Sequence, residues 1–175
     1  MIRRAVQDDI PELARIFLED LRETYADILP AEYFETQTLH TAQKTWSAFL
    51  SQTENRCFVW QQDGKIAGFA GVRPAEENSA DRELSALYID RNSQGQGIGK
   101  KMILSILKQA RDGGASAVYI SVVLQNGRAK GVYEHLGAKF CREFTYCFDS
   151  YPVLCGRYIW NISDFSDDSN RKAGE

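Results

Sequence analysis

Gln94-Gly95-Gln96-Gly97-Ile98-Gly99, followed at once by Lys100-Lys101, is the stretch that decides how this chain reads. Before it runs Glu83-Leu84-Ser85-Ala86-Leu87-Tyr88-Ile89, with the composition of a strand. After it, Ile98, Met102, Ile103, Ile106 and Leu107 recur at helical spacing. A strand, a glycine loop and a helix in that order place successive backbone N–H groups at the positive end of a helix dipole, and the glycines let the backbone approach a ligand. The natural guest is an anion such as a pyrophosphate.

Three glycine-loop chemistries compete for the segment. A P-loop needs G-x-x-x-x-G-K-[ST], but the position five before Gly99 is Gln94 and Lys100 is followed by Lys101, so the hydroxyl ligand for magnesium is missing. A dinucleotide fold needs G-x-G-x-x-G beside a first strand, whereas Gly95, Gly97 and Gly99 are spaced by two and lie past the middle of the chain. What remains resembles the Q/R-x-x-G-x-G/A signature of the GNAT superfamily of acetyl-CoA-dependent N-acetyltransferases, matched by Gln94, Gly97 and Gly99. Downstream, Asn126, Ala129, Val132-Tyr133-Glu134 and Leu136-Gly137-Ala138 are similar to the family's N-x-x-A-x-x-x-Y-x-x-x-G segment, with Ala138 where phenylalanine is common.

Outward from the loop, the elements fall into a mixed α/β order. Asp8 and Asp9 precede Pro11, and Ile10, Leu13, Ile16, Phe17 and Leu21 mark a capped amphipathic helix. Leu29-Pro30 interrupts it, and Tyr33, Phe34, Leu39, Trp46, Phe49 and Leu50 predict a second helical region. Cys57-Phe58-Val59-Trp60 and the apolar run 66–72 flank Gln62-Asp63-Gly64, a hairpin with a type I′ turn. Gly113-Gly114 stops the helix after the glycine loop. Residues 117–124 read as a buried strand, 128–136 as a short helix closed by Gly137, and 140–148 and 153–162 as strands. This order follows the GNAT plan over residues 2–162. The resemblance therefore implies a mixed, mostly antiparallel α/β (α+β) sheet flanked by helices and splayed between its two central strands, those carrying residues 83–89 and Val122. Residues 1–162 are expected to form a single domain and 163–175, polar and without a periodic apolar face, a disordered tail.

Composition narrows the partners. At 175 residues and 43% hydrophobic content the chain suits one substantial core. A net charge of −3 with no basic stripe argues against nucleic acid. No apolar run reaches the roughly 20 residues of a membrane span, so the expectation is no membrane partner and a cytoplasmic compartment. Cys57, Cys141, Cys147 and Cys155 show no metal-type spacing and read as small buried hydrophobes, and His40 and His135 as helix-surface residues, so no metal is expected.

The resemblance also assigns roles. Acetyl transfer to an amine needs a neutral nucleophile, a held thioester, a donor to the carbonyl oxygen and a proton for the departing thiolate. By resemblance, Gln94, Gly95, Gln96, Gly97, Ile98, Gly99 and Lys100 bind acetyl-CoA. The backbone of Leu87, Tyr88 and Ile89 pairs with its pantetheine arm, and a Tyr88 N–H is placed to polarise the carbonyl. Asn126 contacts the same arm, although an Asn after a strand is also ordinary turn chemistry. Tyr133 is placed to protonate the thiolate, with core packing as the other reading. Glu83, eleven positions before Gln94, is the candidate base or else a solvated strand-end charge. Tyr25, Tyr33 and Phe34 are candidate acceptor-site residues or else core aromatics. The acidic stretch 8–35 suits a cationic amine or is simply a solvated helix face. The function so implied is an N-acetyltransferase acting on a small-molecule or peptide amine by direct attack in a ternary complex. A non-catalytic acyl-CoA-binding domain is the alternative, and a homodimer through the last strands is the assembly the family allows.

Overall fold

The computed structural model describes residues 1–76 and 80–165. Among them, seven strands form one sheet in the order β1-β2-β3-β4-β5-β7-β6. Asp63 (φ 49°) and Gly64 (φ 77°) both take positive φ, as a type I′ turn requires, and join β2 (Arg56–Gln62) to β3 (Lys65–Pro74). β1 (Ile2–Arg4) pairs with β2, and β4 (Arg82–Ile89) with β3, all antiparallel. β5 (Ala117–Val123) lies parallel to β4, and the hairpin of β6 (Lys139–Phe148) and β7 (Tyr151–Asn161) completes the sheet through antiparallel pairing of β7 with β5.

The side chains of β4 feed both faces of the sheet, and a bulge at Ser85, where the register with β3 shifts between Gly71↔Ala86 and Val72↔Leu84, puts Leu84 and Ala86 on opposite faces. Ala86 and Tyr88 join the core under α1 (Ile10–Tyr25) and α3 (Leu39–Ser51), where Trp46 packs edge-on against Phe69 at a centroid distance of 4.7 Å. Leu84, Leu87 and Ile89 face the other way, toward Ile98, Met102, Ile103, Ile106 and Leu107 of α4 (Ile98–Asp112). That second core also holds Tyr133 of α5 (Gly127–His135). A third cluster joins Leu21, Leu29 and Tyr33 to Val123, Val153 and Cys155, so that the first helices lean on the β5–β7 side of the sheet.

The structure departs from the sequence-based expectations in four places. The second helical region is two helices, α2 (Ala31–Thr36) and α3, divided at Gln37-Thr38. There the Thr38 hydroxyl accepts the Thr41 N–H and the Thr41 hydroxyl accepts the Thr38 N–H, a reciprocal cap strong enough to start a new helix. Asp9 does not cap α1 through its side chain. Its carboxylate instead binds the Arg3 guanidinium at 2.7 and 2.9 Å and the Val6 N–H at 2.8 Å, tying the first strand to the first helix. Cys57 and Cys155 are buried, but Cys141 and Cys147 are exposed, because they lie on β6, the outermost strand, whose residues are mostly in contact with solvent. Finally, the expected tail begins with structure: residues Ile162–Asp164 form a 3-10 turn and Phe165 packs on the α4 core, with the Arg111 guanidinium 5.6 Å from its ring. Residues 166–175, the rest of that tail, lie outside the described residues.

Candidate active site

β4 and β5 are in register at Arg82↔Val118 and Glu83↔Tyr119, and among the described residues their pairing goes no further. β4 nevertheless continues to Ile89 and β5 to Val123, so the two strands part, as the resemblance implied, and leave backbone polar groups of both facing a gap. The gap opens into a cavity of about 590 Å3. Its wall includes Leu87 and Ile89 of β4, the glycine loop and the first turn of α4, the Gln125-Asn126 turn, residues of α5 through Tyr133, and Asp20, Glu23 and Thr24 of α1.

The glycine loop is fixed from both sides. Gln94 spans it, donating to the Ile89 carbonyl at 3.3 Å and accepting from Arg128 Nη1 at 2.7 Å, which links the end of β4 to α5. Asp90, buried at the end of β4, accepts from the Asn92 N–H at 3.1 Å and from Arg15 at 2.7 Å. Between these anchors Gly97 sits at the N-cap of α4 with φ 74°, a left-handed conformation that glycine takes without steric cost. The first helical bond runs from the Lys101 N–H to the Gly97 carbonyl, so the amides of Ile98, Gly99 and Lys100 have no acceptor within the helix. Free N–H groups at a helix start suit an anion, and Lys100 lies in the same cavity wall. Lys101 is used otherwise, its Nζ lying 5.6 Å from the Trp60 ring centroid.

Tyr133 is buried, with its ring 5.9 Å from that of Trp160 and 6.4 Å from that of Tyr158. Burial pushes its phenol well above the ordinary tyrosine range, with further upward pressure from Tyr25 and from the Asp20 charge, so the hydroxyl keeps its proton. Asn126 also lines the cavity, and its Oδ1 caps α5 by accepting the Ala129 N–H at 3.1 Å, the turn chemistry of one of its two readings.

The structure therefore brings Leu87, Ile89, Gln94, Gly95, Gly97, Ile98, Gly99, Lys100, Asn126 and Tyr133 to one cavity. Other candidates lie elsewhere. Gln96 is exposed and donates to the Asn92 carbonyl at 3.3 Å. The Tyr88 ring packs against Phe17 and Phe69 on the opposite face of the sheet, which leaves only its backbone on β4 near the gap. Glu83 is buried at the paired end of β4, where it accepts from Arg73 Nε at 2.5 Å, and it is not in the cavity wall. Tyr25, Tyr33 and Phe34 belong to the third core cluster, with Tyr25 and Tyr33 both against Phe148.

Asp20 is the notable residue that sequence reasoning left in an undifferentiated acidic run. That run divides in the structure. Arg15 occupies Glu12 and Glu19, each at 2.7 Å, whereas Asp20, Glu23 and Thr24 turn to the cavity. The signal was present: Asp20 lies between Phe17 and Leu21, at the edge of the stripe that packs on the sheet. Burial is the largest influence on its carboxyl, which is pushed up to about 6, with Glu23 adding to the rise and the Thr24 hydrogen bond and Arg128 opposing it.

A parallel strand pair that parts above a glycine-opened helix defines an α/β acyltransferase architecture of the GNAT type. The model of the Acetyltransferase (GNAT) family matches residues 14–138, and the chain belongs to that family. It is 28% identical over 128 residues to Uncharacterized N-acetyltransferase YuaI of Bacillus subtilis (strain 168), an alignment covering 71% of this chain and 72% of that protein. It is likewise 28% identical over 131 residues to [Ribosomal protein bS18]-alanine N-acetyltransferase of Escherichia coli (strain K12), covering 74% and 84% of the two chains. In fold it is similar to the PaiA N-acetyltransferase of Thermoplasma acidophilum, solved in complex with coenzyme A, with a TM-score of 0.69 and 21% identity over 89% of this chain and 96% of that one. Among the described residues no helix is long and apolar enough to cross a membrane, and no cluster of histidine, cysteine and carboxylate side chains is arranged to hold a metal.

Proposed function

We propose that this protein is an N-acetyltransferase that moves the acetyl group of acetyl-CoA to a primary amine of a small molecule or peptide, by direct attack in a ternary complex. The observation that carries this reading is the convergence in one cavity of the parted β4 edge, the unpaired amides at the start of α4 and the buried Tyr133 phenol. These residues fit the coenzyme as co-substrate. The pyrophosphate has the amides of Ile98, Gly99 and Lys100 and the Lys100 ammonium. The pantetheine amides have the unpaired edge of Leu87, Tyr88 and Ile89 together with Asn126. Tyr133 is a proton donor whose burial keeps it protonated until a thiolate forms beside it. A binding module has no use for such a donor, which favours the enzyme over a regulatory domain. The relative named for a ribosomal-protein alanine is a reason to try peptide amines as acceptors.

The test is release of free thiol from acetyl-CoA across polyamines, aminoglycosides, amino acids and peptides, with coenzyme binding measured calorimetrically alongside. Release that depends on both acetyl-CoA and an amine is the expected result. Tight coenzyme binding without release on any amine would overturn the enzyme reading, and absence of coenzyme binding would overturn the reading of the loop.

A further inference from the structure

Resting on the acetyl-transfer reading, we propose that Asp20 is the base that takes the proton from the acceptor amine. It is placed for this by the fold: α1 carries it into the wall of the cavity that also holds Tyr133 and the β4 edge. Thr24, one turn further along the same helix, donates its hydroxyl to Asp20 Oδ2 at 3.3 Å and so orients the carboxylate, which retains acceptor capacity. Its charge acts on the Tyr133 phenol across the cavity and on Tyr88 and Tyr25 nearby.

The charged and titratable groups around Asp20 come from several elements. Glu23 on its own helix raises its pKa, Arg128 on α5 lowers it, and Lys100 of α4 and Tyr133 of α5 share the cavity wall. The net result, dominated by burial, is a carboxyl pushed up to about 6. Such a group is mostly ionised at neutral pH and is a stronger base than an ordinary aspartate, which is the compromise a general base needs. Glu83 lies outside the cavity wall, held by Arg73 at the paired end of β4. Asp20 and Glu23 together also favour an acceptor that arrives as an ammonium ion, which identifies the substrate class as a cationic amine.

The protons balance as follows. The Asp20 carboxylate removes one proton from the ammonium, leaving a neutral amine. The amine nitrogen attacks the thioester carbonyl carbon, the C–N bond forms, and the C–S bond breaks with its electron pair going to sulfur. The sulfur takes the Tyr133 hydroxyl proton, and the extra proton on the new amide nitrogen restores the phenol. Asp20 then releases its proton to solvent. An ammonium ion and a thioester have become an amide, a free thiol and a proton.

The deciding experiment compares wild type, Asp20→Asn, Asp20→Glu and Glu83→Gln by the pH dependence of kcat/KM on an amine found in the panel. Coenzyme affinity and the carbon-13 carboxyl titration of Asp20 are measured in parallel. We expect an acid limb near pH 6 in the wild type that matches the Asp20 titration. In Asp20→Asn the limb should disappear and kcat/KM fall by roughly 10²–10⁴-fold with coenzyme affinity unchanged, while Asp20→Glu recovers part of the loss. Glu83→Gln should keep the limb. An Asp20→Asn enzyme with the wild-type limb and rate, or an Asp20 carboxyl that titrates as an ordinary aspartate, would overturn the assignment while leaving acetyl transfer standing. A wild type that releases no thiol with any amine would instead overturn the acetyl-transfer reading and the role of Asp20 with it.

Discussion

Gly99→Ala separates what the fold needs at the glycine loop from what a ligand needs there. Gly99 is the second residue of α4 and does not take a positive φ. A Cβ built on it would meet Ile89 Cγ1 at 3.7 Å and Leu87 Cδ2 at 3.9 Å, ordinary van der Waals contacts. Nothing in the protein forbids alanine, and replacing glycine within a helix is worth roughly 0.5–1 kcal/mol, toward the lower end so near the helix start. For a domain of this size that corresponds to a rise in Tm of about 1–4 °C. The added methyl would, however, project where the coenzyme must approach the α4 amides. Forcing one extra methyl into a close contact costs about 1–3 kcal/mol, hence a coenzyme affinity weaker by roughly 5- to 150-fold. Thermal melting with and without coenzyme A, and calorimetric titration, read both effects on one sample. A stabilised variant with wild-type affinity would refute the placement of the pyrophosphate at the α4 start, and a destabilised one would refute the packing argument.

The remaining predictions concern the neighbouring residues. Gly97→Ala places alanine at φ 74° with nothing within 4 Å of the Cβ, so its cost is backbone strain alone, about 1–2 kcal/mol, visible as a lower Tm. Tyr133→Phe keeps the ring contacts with Trp160 and Tyr158 and loses only the proton donor, so kcat should fall roughly 10²–10⁴-fold in a thiol-release assay while melting temperature and coenzyme affinity hold. Glu83→Gln should lower stability by about 1 kcal/mol through its ion pair with the part-exposed Arg73, read by urea denaturation. Asp20→Asn should raise stability at neutral pH, by no more than about 3 kcal/mol, because the native carboxyl is pushed up to about 6 from 3.8. The sign follows from the raised value: the folded state favours the protonated acid, so the wild type loses stability as pH rises through 6, and the advantage of the variant should vanish below 3.8.

Local chemistry made much of this molecule readable. Asp63-Gly64 declares its turn through two positive φ angles, and the Gln94 to Gly99 spacing declares its helix start, because in each case a backbone requirement falls on a few adjacent residues. Properties that depend on distant neighbours were not readable in the same way. Cys147 and Cys155 both sit in apolar, strand-like sequence, and their opposite burial follows only from the order of β7 and β6 at the edge of the sheet. Glu83 sits at the family's spacing from Gln94, yet the positions at which β4 leaves β5 and at which Arg73 arrives from β3 decide what surrounds it.

The acidic face of α1 carries the same distinction into function. In sequence Glu12, Glu19, Asp20 and Glu23 are four equivalent charges on an amphipathic helix, and a solvated face accounts for all of them. In the fold, Arg15 neutralises Glu12 and Glu19 on the flank that reaches Asp90, while Asp20 lies in the cavity wall with the Thr24 hydroxyl bonded to it and the charges of Glu23 and Arg128 acting on it. A carboxylate kept partly desolvated costs stability, and helix packing alone gives no reason to keep one there when asparagine would fill the same volume. A base that must meet an ammonium ion inside the cavity gives such a reason, and the tension between the stability gained and the rate lost in Asp20→Asn is where that reason becomes measurable.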